Sequence, residues 1–91
     1  MFVAVYSSRS LEDLKRCEKR GLDTRKLESV ICDLENEVPL DPKYRAHPLY
    51  GKYDGYMECH VGPDWLLIYS VDTERKRIYI ARTGTHSDLF R

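Results

Sequence analysis

The apolar residues of this chain change their spacing at Pro39, and that change limits the fold more than any other feature. Before it, five apolar residues recur at the i, i+3, i+4, i+7, i+11 spacing of one buried helical stripe: Leu27, Val30, Ile31, Leu34 and Val38. After residue 52, apolar residues alternate with polar ones or form short runs, which is typical of strands. Since proline ends a helix, the spacing predicts helices before Pro39 and strands in the second half.

The first half of the chain is predicted to contain one strand and two helices. Residues 2–6 are a β-prone run. Three serines follow as candidate N-caps of a first helix, and the last of them, Ser10, forms a loose capping box with Asp13. Gly21 is a natural stop for that helix, and Asp23 can cap the second. The short link between them predicts an antiparallel helical hairpin.

The second half is predicted to be a loop followed by three strands. Residues 39–52 are loop-like because proline, glycine and aspartate occur in short order. Strands are predicted over 53–61, 65–71 and 77–82, and residues 83–90 are predicted to be a loop or a single helical turn. The order β-α-α-β-β-β predicts an α+β fold, in which the two-helix hairpin packs on one face of a mostly antiparallel four-stranded sheet. The opposite face is then the natural place for a site.

Length and charge restrict the class of protein. A chain of 91 residues is expected to form a single domain, residues 1–91. It is neutral, with 15 basic and 15 acidic side chains, which counts mildly against nucleic-acid binding. Residues 1–42 carry 7 basic and 9 acidic side chains, whereas residues 43–91 carry 8 and 6, so a basic patch in the second half stays open.

The cysteines and the hydropathy pattern indicate the compartment. Three widely spaced cysteines make a poor disulfide framework. No apolar run is long enough to span a membrane, and the first ten residues lack the pattern of a signal peptide. We therefore expect a cytoplasmic protein with reduced thiols and no membrane association.

Three histidines are the candidate reactive groups. His47 is predicted to lie in the loop, His60 near the end of a strand and His86 in the C-terminal segment. In the strand over 53–61 alternate residues share a face, so Glu58 and His60 point away from the helices and their neighbours point to the core. The spacing alone does not bring the three histidines together, and unrelated surface or capping roles are the alternative.

Metal and nucleophile chemistry are disfavoured by the same spacing. Zinc ligands usually recur at short separations, and the one adjacent pair, Cys59 and His60, points to opposite faces of a strand. That pair can neither chelate one ion nor act as nucleophile and base.

Arg82 is suited to holding a phosphate, with a solvated charge at a strand end as the alternative. Asp64 and Trp65 open the central strand, where a turn cap and a core aromatic residue are the alternatives.

A set of residues between positions 47 and 90 occurs in a fixed order and spacing: His47-Pro48-Leu49, Gly51, Gly55, His60, residues 63–69 and residues 82–90. This set resembles the YafQ-type toxins of the RelE/ParE superfamily of bacterial toxin–antitoxin modules. The two-helix first half fits the same architecture, so the resemblance covers essentially the whole chain. One departure is Met57, where many relatives carry arginine, which removes one phosphate contact.

The resemblance implies a cytoplasmic toxin that enters the ribosomal A site and cleaves translated mRNA. It implies a cognate antitoxin as partner and contact with operator DNA only through that antitoxin, and we expect no cofactor, metal or membrane. Trp65 and Phe90 are expected to shape the substrate pocket, where an aromatic ring can stack on a base. The positions that match the active site of the family are His47, His60, Asp64, Trp65, Arg82, His86 and Phe90.

These residue types suit metal-free RNA cleavage, in which the 2′-hydroxyl of the substrate attacks the adjacent phosphorus. Histidine suits both proton transfers because its unperturbed pKa of about 6.5 lies near working pH. We expect His86 to be the general acid and His60 or His47 the base, with Asp64 orienting a histidine. Arg82 is expected to stabilise the charge of the transition state.

Three other functions are kept as alternatives. The first is a non-catalytic member of the superfamily that only binds RNA or its partner, and the second is a gyrase-targeting toxin on the same fold. The third is an unrelated small α+β interaction domain. The histidine set argues against the first two, because a binding role does not require it and the gyrase-targeting relatives act without it.

Overall fold

Residues 1–90, which the computed structural model describes, form five strands and three α-helices. In chain order these are β1 (Val3–Tyr6), α1 (Ser8–Lys19), α2 (Thr24–Glu35), β2 (His47–Pro48), β3 (Met57–Gly62), β4 (Trp65–Asp72), β5 (Arg77–Gly84) and α3 (His86–Phe90). The strands form one sheet in the order β1-β5-β4-β3-β2. β1 runs parallel to β5, and the other pairs are antiparallel.

The predicted α+β class, with a helical hairpin on one face of a mostly antiparallel sheet, is confirmed. The predicted number of strands is wrong, because the sheet has a fifth strand inside the segment expected to be a loop. This strand, β2, pairs His47 with Glu58 and Pro48 with Met57. Two residues are too few to show an alternating pattern, and the proline and glycine residues around them indicate a loop.

The first helix begins earlier than the predicted capping box. Ser7 is its N-cap, since the Ser7 hydroxyl accepts the backbone N–H of Ser10 at 3.0 Å. Ser10 itself is buried in the first turn, and Asp13 points into the protein rather than to the helix end. Asp23 caps α2 as predicted, by accepting the backbone N–H of Arg25 at 3.1 Å.

The second helix ends at Glu35, three residues before the end of its apolar stripe. Glu37 adopts a left-handed conformation with φ of 58°, and the N–H of Val38 donates to the carbonyl of Asp33 at 2.9 Å. This pattern closes the C-terminus of a helix. Val38, predicted to complete the buried stripe, is 48% exposed.

The main core lies between the sheet and the α1–α2 hairpin. β4 is the middle strand, and its first five residues are buried, as predicted for a central strand. Burying one aliphatic side chain stabilises the fold by roughly 1.5–3 kcal/mol, so this core holds the hairpin on the sheet. Its fully buried members include Cys17, Leu27, Val30, Cys59, Leu67, Ile78 and Ile80.

The other face of the sheet carries a second, smaller apolar cluster. Leu66 and Ile68 of β4 pack there against Leu89 of α3. Glu58 and His60 lie on this face as predicted, because their partners across the β3–β4 ladder are Ile68 and Leu66. The sheet therefore separates the helical hairpin from the face that holds the histidines.

The longest helices have 12 residues each. Within residues 1–90, no helix combines the length and the apolar character needed to cross a bilayer.

Candidate active site

The three histidines come together on the sheet face opposite the α1–α2 hairpin. His47 comes from β2, His60 from β3 and His86 from α3. The ring centroids of His47 and His60 are 6.2 Å apart, and those of His60 and His86 are 6.1 Å apart. His60 is thus the middle ring of a row of three. The sequence alone did not predict that the three histidines lie close together.

Glu58 joins the first two histidines. Its side chain is 7% exposed, and its Oε1 lies 3.5 Å from Nε2 of His47 and 3.8 Å from Nε2 of His60. Nδ1 of His47 lies 2.8 Å from the carbonyl oxygen of Arg45. Since a carbonyl can only accept, Nδ1 carries the proton and Nε2 is turned towards Glu58. Sequence reasoning assigned Glu58 to the correct face but gave it no role.

The same three side chains fit the ligand set of a transition-metal ion. One potential ligand atom from each of His47, Glu58 and His60 lies within 4.8 Å of the other two. Imidazole and carboxylate groups are ligands that zinc and copper accept. The sequence disfavoured a metal because it offered no short spacing, whereas here the register of β2 against β3 assembles the ligands.

His86 is held by Asp64, which lies in the turn between β3 and β4. One carboxylate oxygen of Asp64 accepts the backbone N–H of His86 at 3.0 Å and lies 2.7 Å from Nδ1 of its ring. These hydrogen bonds, the backbone one first, hold the pKa of Asp64 below its ordinary value. An ionised Asp64 accepts the Nδ1–H of His86, so Nε2 on the other side of the ring is available for proton exchange.

Arg82 lies on the histidine face in register with Ile68, but it is 7% exposed and ion-paired. Its Nε and Nη2 donate to the carboxylate of Asp13 at 2.7 and 3.2 Å. Asp13 also accepts the backbone N–H of Thr83, beyond the point where β1 stops pairing with β5. Hydrogen bonding to Asp13 raises the pKa of Arg82. A hydrogen bond with Tyr53 raises the pKa of Arg82 as well, and the bonds to Asp13 do not use Nη1.

Asp13 is a residue that sequence reasoning missed in this role. It is 2% exposed and lies on the buried side of α1 between Ser10 and Cys17. A carboxylate at helical spacing within a buried stripe is the signal that could have found it, since buried carboxylates are almost always paired.

Trp65 lies in the core rather than at the surface of the site. It is 3% exposed, its ring belongs to the helix side of the sheet, and its indole N–H donates to the hydroxyl of Thr83 at 3.0 Å. This position agrees with the alternative of a core aromatic residue, and the indole supports the strand end next to Arg82. Met57 also packs on the helix side, so this departure from the family leaves the histidine face unchanged.

Phe90 forms an aromatic edge beside the histidines. It is 48% exposed, with its ring centroid 6.5 Å from that of His86 and 5.8 Å from that of Tyr53. Tyr53 in turn meets Tyr56 edge-on at 6.2 Å. The two tyrosines were not predicted, because a tyrosine in a strand or turn reads equally well as a packing residue.

A cavity of 720 Å³ opens in front of the last two histidines. Its lining includes His60, Asp64 and His86. It also includes three basic residues from α2 and the segment before β2: Lys26, Lys43 and Arg45. A neutral chain thus presents a local positive surface directly beside its histidines.

Sequence comparison assigns the chain to the toxins of bacterial type II toxin–antitoxin systems. Residues 3–91 match the family described as "Bacterial toxin of type II toxin-antitoxin system, YafQ". Within that class the chain belongs to the YafQ family, which confirms the resemblance found in its sequence. It is 42% identical over 86 residues to the mRNA interferase toxin YafQ of Escherichia coli strain K12, covering 93% of this chain and 91% of that protein.

Solved structures agree with this assignment. The E. coli DinJ-YafQ complex contains a chain with a TM-score of 0.89 and 38% identity, and the match covers 100% of both chains. A metal-bound toxin from Helicobacter pylori has a TM-score of 0.92 and 39% identity, covering 99% of this chain and 100% of that one. The α+β fold is therefore shared with toxins that are crystallised with a partner or with a metal.

Proposed function

We propose that this toxin is a ribosome-dependent endoribonuclease that cleaves translated mRNA by metal-free acid–base transesterification. The observation that carries the proposal is the row of three imidazoles, in which His60 stands 6.1 Å from a His86 ring held by Asp64. Two proton-transfer groups on either side of one phosphate are what this reaction requires. The name of the E. coli relative, an mRNA interferase toxin, supports the choice of substrate.

His60 is the better candidate for the general base. It is the middle ring of the row, and its ring centroid lies 6.1 Å from that of His86, so the two imidazoles can act on the two reacting oxygens of one phosphate. The base takes the proton of the 2′-hydroxyl as that oxygen attacks the phosphorus. Glu58 stabilises the imidazolium that forms, and His47 stands behind it as the alternative base.

His86 is the general acid. The P–O5′ bond breaks as the new P–O2′ bond forms, and His86 gives a proton to the leaving 5′-oxygen through Nε2. The products are a 2′,3′-cyclic phosphate and a 5′-hydroxyl, so atoms and charge balance without a co-reactant. Asp64 keeps Nδ1 of His86 protonated and the ring in one orientation, as the carboxylate of a catalytic triad does.

Arg82 and the basic residues that line the cavity bind the substrate phosphates. Nη1 of Arg82 donates to the phosphoryl oxygens as their charge grows, while Asp13 fixes the guanidinium. Lys43 and Arg45 line the same cavity as the histidines and bind a neighbouring phosphate. The Phe90 ring stacks on a base of the single-stranded message.

The partners follow from the same family. The DinJ-YafQ complex of E. coli supports a cognate antitoxin that covers and neutralises the toxin, with operator DNA contacted through the antitoxin. Ribosome and mRNA are the targets. We assign the toxin to the cytoplasm, where ribosomes are found; the free thiols at Cys17, Cys32 and Cys59 are consistent with that compartment.

His47, Glu58 and His60 would hold a transition-metal ion if one bound, and a toxin of this fold from H. pylori is metal-bound. Such an ion would supply Lewis-acid chemistry next to the phosphate. It would also occupy imidazole nitrogens that the proposed reaction uses for proton transfer. In the metal-free mechanism these imidazole nitrogens accept and donate protons and hold no metal ion.

The proposal is tested by incubating the purified toxin with an mRNA, with and without translating ribosomes, and mapping the cuts. We expect cuts that require ribosomes and a His86→Ala variant that is slower by about 10²- to 10⁴-fold, the usual contribution of a general acid. Arg75→Ala, which changes an exposed ion pair at the β4–β5 turn, is the control for purification and folding.

Two outcomes would contradict the proposal. Unchanged cleavage by His86→Ala would remove His86 as the acid. No cleavage under either condition by a folded wild-type protein would favour a binding or gyrase-directed toxin, which a DNA supercoiling assay with gyrase separates.

A further inference from the structure

We propose that Arg20 is a positioning residue for His86: its ion pair with Asp88 ties α3 to the end of α1 and so sets where the His86 ring stands. The inference rests on the proposed role of His86 in catalysis. Neither Arg20 nor Asp88 lines the cavity that holds the histidines.

The ion pair joins two elements that are far apart in the chain. Nη1 and Nη2 of Arg20 donate to the two carboxylate oxygens of Asp88 at 2.6 and 3.2 Å, across 68 residues of sequence. The two parallel hydrogen bonds fix direction as well as distance. Arg20 is itself anchored, because it is the C-cap of α1 and its backbone N–H donates to the carbonyl of Arg16 at 3.1 Å.

Asp88 passes this constraint to the residues around His86. Its carboxylate accepts the backbone N–H of Thr85 at 3.0 Å, and its own N–H donates to the hydroxyl of Thr85 at 3.1 Å. His86 lies between these two residues in the chain. The reciprocal pair encloses the first turn of α3, so a shift of Asp88 moves the backbone that carries His86.

Gly84 is a second sign that the position of Asp88 is specified. A side chain at Gly84 would place its Cβ 2.8 Å from a carboxylate oxygen of Asp88, closer than real Cβ atoms come. The φ of Gly84 is +155°, which residues with a side chain rarely adopt. The end of β5 is therefore built to let Asp88 approach the backbone.

α3 needs an external constraint because it has only five residues. Helices this short have little stability of their own. Its apolar anchor is Leu89, which is 5% exposed and packs against Leu66 and Ile68 of β4. The His86 side chain is 59% exposed, so its position depends on the backbone of α3 together with the Asp64 contact.

The test compares Arg20→Ala with wild type in the ribosome-dependent cleavage assay, with folded fraction measured at the assay temperature. We expect kcat to fall about tenfold while KM stays within about twofold, since small displacements of a catalytic group cost up to about 10² in rate. Arg20→Lys should recover part of kcat, because one ammonium replaces one of the two hydrogen bonds. Arg75→Ala breaks a comparable pair with Asp72 away from α3 and should leave kcat unchanged.

A double variant separates positioning from general damage. Asp88→Asn removes the charge that Arg20 binds, so the Arg20→Ala/Asp88→Asn pair should lose no more kcat than the more severe single variant. Additive losses would mean that the two residues act independently, and would overturn the inference. A loss of kcat fully accounted for by unfolded protein would overturn it as well.

Proton NMR of the His86 ring gives a readout that does not depend on cleavage. The Nδ1–H proton bonded to Asp64 should give a distinct downfield signal in wild type and Arg75→Ala, and a weakened or shifted one in Arg20→Ala. If wild type does not cleave RNA, the proposed function fails, while this signal still decides whether Arg20 positions His86. An unchanged signal in Arg20→Ala, with unchanged kcat wherever cleavage occurs, would overturn the inference.

Discussion

Asp88 carries a carboxylate whose pKa lies well below its usual range, because Arg20 donates to it and the Thr85 backbone adds a further hydrogen bond. A lowered pKa in the folded state stabilises the fold at every pH above the unfolded value, about 3.9 for an aspartate. That stabilisation is lost as the pH falls towards the folded value. The ion pair should therefore matter for stability at neutral pH and not in strong acid.

The loss of this stabilisation at low pH predicts how the stability of Arg20→Ala changes with pH. Its free energy of unfolding should lie below that of wild type by an amount that is constant above about pH 5 and shrinks between about pH 4 and pH 2, as Asp88 becomes protonated. Urea unfolding of both proteins at a series of pH values measures it. A difference that stays constant down to pH 2 would show that Arg20 acts on stability by packing rather than by charge.

Glu58 gains its role from its neighbours across two strands. The alternation of β3 predicts its face, and no residue near it in sequence predicts that His47 lies directly opposite. A carboxylate that is 7% exposed between two imidazole nitrogens is the least expected feature of the site. The role of such a residue can be recognised once the strand register is known, and the spacing of residues in the sequence does not show it.

The helices and long strands of this fold can be predicted from local sequence patterns. The apolar stripe predicts α2, and Asp23 predicts its start. Gly21 predicts the end of α1. The structure agrees with all three. The errors occur where a non-local contact or a rare backbone conformation decides. Glu37 ends α2 through a left-handed conformation.

The link between α1 and β5 is also invisible in local patterns. Asp13 bonds Arg82 and the backbone of Thr83 across about three quarters of the chain. It accepts the backbone N–H of Thr83 on the edge of β5 where β1 no longer pairs, while β4 pairs with the other edge. The end of β5 that carries Arg82 is therefore held by α1, which is distant from it in the sequence.

Removing one partner of this buried pair should be severe. We expect Asp13→Ala to lower the free energy of unfolding by about 3–5 kcal/mol, because the Arg82 charge is left buried without compensation. Chemical denaturation measures the loss, with Glu12→Ala on the exposed side of the same helix as the control. A loss below about 1 kcal/mol would mean that water or another acceptor replaces Asp13.

At the scale of the whole molecule, the sheet divides two tasks between its faces. One face and the α1–α2 hairpin form the main core, and the other face carries the histidines, the aromatic edge and α3. The order of predicted elements was enough to assign the site to the second face. It could not supply β2, whose two residues bring His47 to Glu58.

The candidate site was predicted in part by residue type and in part by resemblance. The three histidines and Asp64 do converge, which spacing alone did not establish. Trp65 is expected from the resemblance to shape the substrate pocket, with a core position as the alternative, and the pleat turns its ring into the core. Asp13, Arg20 and Asp88 were missed because their partners lie about 70 residues away.

The most direct test of metal-free transesterification is the chemistry of the cut. An mRNA with a single 2′-deoxynucleotide at a mapped cut site is given to the toxin and translating ribosomes, with a chelator that removes transition metals and spares Mg²⁺. We predict that this site is spared, while unmodified sites are cut and give 2′,3′-cyclic phosphate and 5′-hydroxyl ends. Cleavage at the deoxy site, 5′-phosphate ends, or loss of all cleavage in the chelator would contradict the account.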